Sequence, residues 1–191
     1  MTPRILAFAG STRTDSFNKK LIRIAVKGAQ AAGAEVTLID LRDYPMPLYD
    51  GDLEAKEGIP PNGRKFKELL LAHQGLLLSC PEYNSSISGV LKNAIDWASR
   101  EAPGETPLAC FKGKTAALMS ASPGGLGGLR GLVHVRSILG NIGVLVLPDQ
   151  VAVPKAHEAF QLDGSLKDPK QQAAVEKLGL DLAALLQKLH A

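Results

Sequence analysis

Cysteine is nearly absent from this chain: Cys80 and Cys110 are the only two in 191 residues. They form no C-x-x-C and no metal-ligand cluster, so no disulfide framework or zinc site is expected. Both are expected to be buried thiols in a reducing cytoplasm. Charge of one sign is equally scarce. The formal net charge is +3, and no Lys/Arg run or aromatic-interleaved basic stripe marks a nucleic-acid surface. No apolar run approaches the roughly 18 residues of a membrane helix, and the N-terminus lacks the charged-then-apolar layout of a signal peptide. These absences predict a cytoplasmic protein with neither nucleic acid nor membrane as partner.

What is present is a globular composition, 45% apolar and 21% charged, in a length that suits one domain over residues 1–191. Apolar runs of strand length alternate with helical patterns. The predicted strands are Arg4–Ala9, Glu35–Asp40, Gly75–Cys80, Lys114–Ser120 and Gly143–Leu147. The predicted helices are Lys20–Ala32, Gly63–Ala72, Ser88–Ser99, Leu126–Leu139 and Pro169–Leu189. Near-continuous apolar strands separated by helices imply a parallel sheet covered on both faces. Five such β–α units make an α/β, three-layer, doubly wound sandwich. Three connections exceed structural need, Leu41–Asn62, Arg100–Gly113 and Pro148–Asp168, and serve either function or subunit contact. In the first of them, the Pro-rich, apolar stretch Tyr44–Tyr49 is expected to leave surface for a neighbouring subunit.

In an open parallel sheet the ligand crevice lies outside the carboxyl ends of the strands. Three exits there are unusual. The first is Gly10-Ser11-Thr12-Arg13-Thr14-Asp15-Ser16-Phe17-Asn18. A helix N-terminus offers unpaired N–H groups and the positive dipole end to an anion. Ser11, Thr12, Ser16 and Asn18 add donors, and Arg13 adds a charged fork. The stretch is neither G-x-x-x-x-G-K-[ST] nor G-x-G-x-x-G, so a terminal monophosphate fits better than a triphosphate or pyrophosphate. The competing reading is an ordinary helix start capped by Asp15 or Ser16.

The second exit is Pro81-Glu82-Tyr83-Asn84-Ser85-Ser86-Ile87-Ser88-Gly89, where Tyr83 is either an aromatic face for a ligand or a plain surface aromatic. Trp97, about two turns along the next helix, reads as core or subunit interface. The third exit is Ser120-Ala121-Ser122-Pro123-Gly124-Gly125-Leu126-Gly127-Gly128. Its glycines let main chain pass close to a flat ligand, or else make a flexible turn. Arg130 and Arg136 follow on different helix faces, and Arg130 is the nearer ligand candidate. His73, His134, His157 and His190 lie outside all three exits, and no Ser-His-Asp or paired-carboxylate arrangement is evident. A site rich in donors and poor in acid–base groups points to a cofactor carrying the chemistry.

The first exit, the Asp43–Glu54 segment DYPMPLYDGDLE, PEYNSSISGVLKNAIDWASR and SASPGGLGGLR together resemble the NAD(P)H-dependent FMN reductases, which include quinone, chromate and azo-dye reductases. The likeness runs in order from the first strand to about Leu147. It implies a flavodoxin-like fold with strand order 2-1-3-4-5, bound FMN, NAD(P)H as donor, small-molecule electron acceptors and a homodimer or homotetramer. By resemblance, Ser11, Arg13, Ser16, Phe17 and Asn18 hold the FMN phosphate. Pro81, Glu82, Tyr83 and Asn84 lie against the flavin ring, largely through main-chain groups, and Ser120, Gly124 and Gly125 lie on its other side. Arg100 and Arg130 match positions near the nicotinamide or the subunit contact. Ser85 and Ser86, both small, imply an open mouth over the ring. No metal and no catalytic side chain is expected, since the chemistry resides at flavin N5. The alternative is a flavodoxin-type electron carrier or a non-catalytic nucleotide-binding module; such carriers are usually strongly acidic, and this chain is not.

Overall fold

The computed structural model describes residues 1–190. The first half comprises β1 (Arg4–Ala9), α1 (Phe17–Ala31), β2 (Glu35–Asp40), a 3-10 turn (Leu41–Asp43), α2 (Gly51–Glu57), α3 (Pro61–Ala72) and β3 (Gly75–Ser79). A two-stranded hairpin follows, β4 (Glu82–Tyr83) and β5 (Ser86–Ile87), then α4 (Gly89–Ala98) and β6 (Thr115–Ala121). The chain ends with α5 (Leu129–Asn141), β7 (Leu145–Val153), α6 (Ala156–Ala159) and α7 (Pro169–Leu189). Five strands form one parallel sheet in the order β2-β1-β3-β6-β7. Discounting the hairpin, this is the expected 2-1-3-4-5 order.

The apolar runs are explained by their cover. β3 and β6 are buried at every residue and β1 at all but its first, because helices pack on both faces. One core joins Ile5, Ala7, Leu77 and Met119 to α1 and α7. The other joins Leu6, Phe8, Leu76 and Leu118 to α3, α4 and α5. α1 and α7 meet backbone to backbone. A Cβ at Gly28 would stand 1.9 Å from the Glu176 carbonyl oxygen, and one at Gly179 1.9 Å from that of Ala25. Both thiols are buried as expected, and burial pushes Cys80 up to about 12.

Several predicted boundaries move for identifiable reasons. α1 begins at Phe17 rather than Lys20. α5 begins at Leu129 rather than Leu126, because Gly127 and Gly128 hold left-handed φ values of 62° and 92° that no helix accepts. The last strand runs on to Val153, well past Leu147. Pro148 favours a loop there on sequence grounds. It sits instead where the β6–β7 register slips between Ala116 and Leu118, on an edge strand, where a residue without an N–H is tolerated.

The Leu41–Asn62 connection is ordered. Its segment Tyr44–Tyr49 is latched to its own chain, while Pro45, Pro47 and Leu48 stay exposed. Trp97 Nε1 and Asn93 Nδ2 donate to the Pro47 carbonyl at 2.8 and 2.9 Å, and Tyr49 N–H donates to Asn93 Oδ1 at 2.8 Å. Tyr49 meets the Trp97 ring edge-on at 5.1 Å, and Trp97 is fully buried as core. Leu48 alone of this segment's large apolar side chains stays open, at 81% exposure.

Candidate functional site

The three unusual exits converge at the carboxyl edge of the sheet and are bonded to one another. Ser88, N-cap of α4, donates to the Gly10 carbonyl at 2.6 Å, joining the second exit to the first. Asn18 joins the first to the third: its Nδ2 donates to the Ala121 carbonyl at 2.9 Å, and its Oδ1 accepts from Ala121 N–H at 3.0 Å and Ser79 Oγ at 2.8 Å. Between them lies a narrow cleft of about 50 Å³. Ser11, Arg13, Ser16, Phe17 and Asn18 line one wall, and Pro81–Tyr83 and Ala121–Pro123 line the others.

The first exit is built as an anion cradle. Ser16 is the N-cap of α1, with extended φ/ψ, yet its hydroxyl makes no capping bond, so the simple capped-helix reading lacks its bond. The first intrahelical donor is Lys19 N–H to the Ser16 carbonyl. The N–H groups of Phe17 and Asn18 therefore face the cleft without a protein acceptor, at the positive end of a 15-residue helix. Arg13 curls over the turn, its Nη2 3.4 Å from the Asp15 carbonyl, and Ser11 Oγ accepts from Arg13 N–H at 3.2 Å. The Asn18 carboxamide is turned to β3 and β6, its Oδ1 taking two donors and its Nδ2 giving one proton to Ala121.

Two groups that sequence reasoning missed frame this turn from the β2 side. Arg42 donates Nε and Nη2 to the Thr12 carbonyl, the former at 2.9 Å. Asp40 accepts from Arg42 N–H at 3.0 Å and pairs with Lys19 Nζ at 2.5 Å. Burial opposes the Asp40 charge, but Lys19 and the Arg42 N–H outweigh it and hold its pKa below the ordinary value. The adjacency of β2 and β1, already implied by the expected strand order, is the signal that could have found them.

The second exit is a tight hairpin rather than an open loop. Tyr83 pairs with Ser86 across a two-residue tip, and Asn84 and Ser85 take φ values of 51° and 65°. Left-handed φ at both tip residues is the type I′ pattern, in which Asn is favoured and Ser is strained. Tyr83 is half exposed beside the cleft. Glu82 points the other way: it accepts from Arg130 Nη2 and Nε at 2.8 and 3.0 Å and from Gly131 N–H at 3.1 Å. Burial raises the Glu82 pKa, but the Gly131 N–H and Arg130 more than reverse it. His134, set apart in the sequence, bonds Ser86 Oγ through Nδ1 at 2.9 Å, so α5 clamps the hairpin at two points.

The third exit divides. Ser120 is fully buried within β6, and its Oγ is the one buried side-chain polar atom without a partner among the described residues. A Cβ at Gly128 would fall 1.9 Å from that oxygen, and one at Gly127 2.7 Å from the Val153 carbonyl carbon. Gly124 and Gly125 are exposed and have room for a side chain. Arg130 is held by Glu82. Arg100 lies past the far end of α4, about 15 Å along that helix from its crevice end. There it pairs with Glu54 at 2.8 Å and stacks over Tyr49 at 5.4 Å. That place separates it from the crevice of its own chain.

Comparisons with known proteins agree with this architecture. The profile of the family described as NADPH-dependent FMN reductase matches residues 3–158. An NAD(P)H-dependent FMN reductase of Pseudomonas aeruginosa is 38% identical over 175 residues, covering 91% of this chain and 90% of that protein. An NADPH:quinone oxidoreductase of Arabidopsis thaliana is 32% identical over 196 residues, covering 98% and 93%. Among solved structures, a flavoenzyme NAD(P)H:(acceptor) oxidoreductase from Paracoccus denitrificans superposes with a TM-score of 0.81 at 29% identity, covering 98% of both chains. The chain belongs to the NADPH-dependent FMN reductase family.

Proposed function

We propose that the Gly10–Asn18 turn seats the phosphate of FMN, that the β4–β5 hairpin and the Ser122–Gly125 stretch flank its ring, and that the protein reduces quinones with electrons from NAD(P)H. Azo compounds and chromate belong to the same class of acceptors. The observation that carries this reading is the head of α1: two unpaired N–H groups, an uncommitted Ser16 hydroxyl and the Arg13 guanidinium around a phosphate-sized cleft. FMN fits this donor set, whose single cation and lack of a Lys/hydroxyl pair suit one terminal phosphate.

When bound, FMN supplies the two-electron relay between a nicotinamide and an acceptor. The residues around it bind and orient. Ser11 and Ser16 donate hydroxyls to the phosphate, Arg13 offsets its charge, and Phe17 and Asn18 offer main-chain N–H. Arg42 and Asp40 hold the turn in shape. Pro81 to Asn84 present main chain and the Tyr83 ring to the flavin, while Glu82 fixes the hairpin to α5. No acid or base is aimed into the cleft, since Glu82 and Arg130 satisfy one another and His134 bonds Ser86. Positioning of stacked rings is therefore what this chain contributes to rate.

The enclosed part of the site accommodates a phosphate, so the ring would lie over an open surface. Leu126, Leu129, Val133 and Tyr83 are exposed around that surface. We expect a second copy of the chain to cover it, as in a two-fold dimer. Light scattering giving a mass near the 20.2 kDa of one chain would remove that expectation. With one ring face serving donor and acceptor in turn, double-reciprocal plots should be parallel. The direct experiment is the colour of the purified protein: yellow, bleached anaerobically by NAD(P)H and restored by a quinone. A protein that takes up no FMN would overturn the reading.

A further inference from the structure

Beside the cleft, and sharing Phe17 with it, runs a wider groove of about 840 Å³. One wall is the head of α1, with Phe17, Lys20 and Arg23; the other is the segment after β7, with His157, Phe160 and Lys167. This second wall belongs to the long Pro148–Asp168 connection, most of whose outer part lies beyond the family match at residue 158. It is an ordered element: Phe160 bridges Leu166, and Gln161 N–H closes the turn on the Ser165 carbonyl at 2.8 Å.

Two properties of the groove coincide. The rings of Phe17 and Phe160 stack on one another, 7° apart in plane and 6.0 Å between centroids, an aromatic pair lining the groove. Around it stand Lys20, Arg23 and Lys167. Lys20 pairs with Asp15 at 2.7 Å, while Arg23 and Lys167 have no carboxylate within 4.0 Å among the described residues. The lining acid, Asp163, is turned to Ser165, accepting from its Oγ at 2.6 Å and its N–H at 3.0 Å. An aromatic pair that can extend its stack, beside two uncommitted cations, suits a base joined to a phosphate.

We infer that this groove takes the adenosine 2′-phosphate end of NADPH, with Arg23 and Lys167 on the phosphate and the adenine against the stacked Phe17–Phe160 pair. The inference rests on the coenzyme delivering its electrons in the adjoining crevice. Phe17 lines both, so a dinucleotide whose nicotinamide lies over the flavin ring, outside the phosphate-filled cleft, would reach the groove by passing this residue. Discrimination between NADPH and NADH then resides in α1 and the post-β7 segment, away from the ring.

The test is calorimetry on the FMN-loaded protein with 2′,5′-ADP, which carries the distinguishing phosphate, against 5′-AMP, which lacks it. We expect 2′,5′-ADP to bind more tightly and to be displaced by NADPH. Arg23→Ala and Lys167→Ala, both at exposed positions, should each weaken it about tenfold or more. Each should also lower the ratio of kcat/KM for NADPH over NADH. Equal affinity for the two probes, binding indifferent to both substitutions, or 2′,5′-ADP that NADPH fails to displace would overturn the inference. An FMN titration of the same samples separates the two readings. Normal FMN uptake without 2′,5′-ADP binding removes the groove proposal alone; failure to take up FMN removes the crevice reading, and the probe still decides the groove.

Discussion

The first and third exits from the sheet look alike in sequence, both short and rich in small residues, yet they use those residues in opposite ways. In Gly10–Asn18 the small polar residues leave donors free: Ser16 caps nothing, and Phe17 and Asn18 N–H find no protein acceptor. In Ser120–Gly128 two of the glycines are consumed by the protein's own packing. Gly128 lies where a Cβ would strike Ser120 Oγ, and Gly127 where it would strike the backbone at the end of β7. A loop is marked as a binding element by donors left over after the fold is satisfied, and residue size alone does not report that.

The largest effect that could break this contrast is at Gly128. Gly128→Ala adds a Cβ 1.9 Å from Ser120 Oγ at φ 92°, combining overpacking with backbone strain. We expect a loss of about 3–5 kcal/mol in urea unfolding of the apo-protein. A variant of parental stability that has lost FMN would mean that Gly128 serves the ligand instead.

Within the first exit the same division runs between neighbouring residues. Asn18→Ala would leave the Ala121 N–H and carbonyl and Ser79 Oγ without partners in a buried place. About 2–4 kcal/mol of stability should go. A variant as stable as its parent would show that water replaces the amide.

Arg13→Ala should do the reverse. Its side chain's one hydrogen bond is to the Asp15 carbonyl of its own turn, so apo stability should hold. FMN affinity should fall by about 1.5–3 kcal/mol, the range for a charge-assisted contact, while riboflavin, lacking the phosphate, binds parent and variant alike. Fluorescence titration of both flavins measures this. Parental FMN affinity in the variant would remove the phosphate assignment.

How much of this was legible in the sequence follows from the range of each interaction. The α/β alternation was, because burial of β1, β3 and β6 on both faces leaves unbroken apolar runs. The convergence of three exits was, since parallel strands must end on one edge. The role of Asn18 was not, its partner Ala121 being 103 residues away. Nor was the hairpin: its strands are two residues each, and Ser85 stands where glycine is the usual type I′ residue. The latch of the Tyr44–Tyr49 segment was not either, because Trp97 Nε1 and Asn93 Nδ2 reach the Pro47 carbonyl from 50 and 46 residues away.

The smallest predicted effect tests the third exit against itself. A Cβ added at Gly125 would meet no atom within 4 Å, and the residue has no left-handed φ, so nothing in the fold demands glycine there. Gly125→Ala should therefore leave unfolding within about 0.5 kcal/mol of the parent, as an ordinary surface change does. If the stretch runs along the flavin, the added methyl must still be fitted between main chain and ring, and FMN affinity should drop by about 1 kcal/mol, the lower end of overpacking costs. Affinity lost with stability intact would divide one loop into two pairs of glycines, Gly127 and Gly128 for the protein and Gly124 and Gly125 for the cofactor. Unchanged affinity would assign Ser120–Gly128 wholly to packing, leaving the hairpin and the head of α1 as the whole of the FMN site.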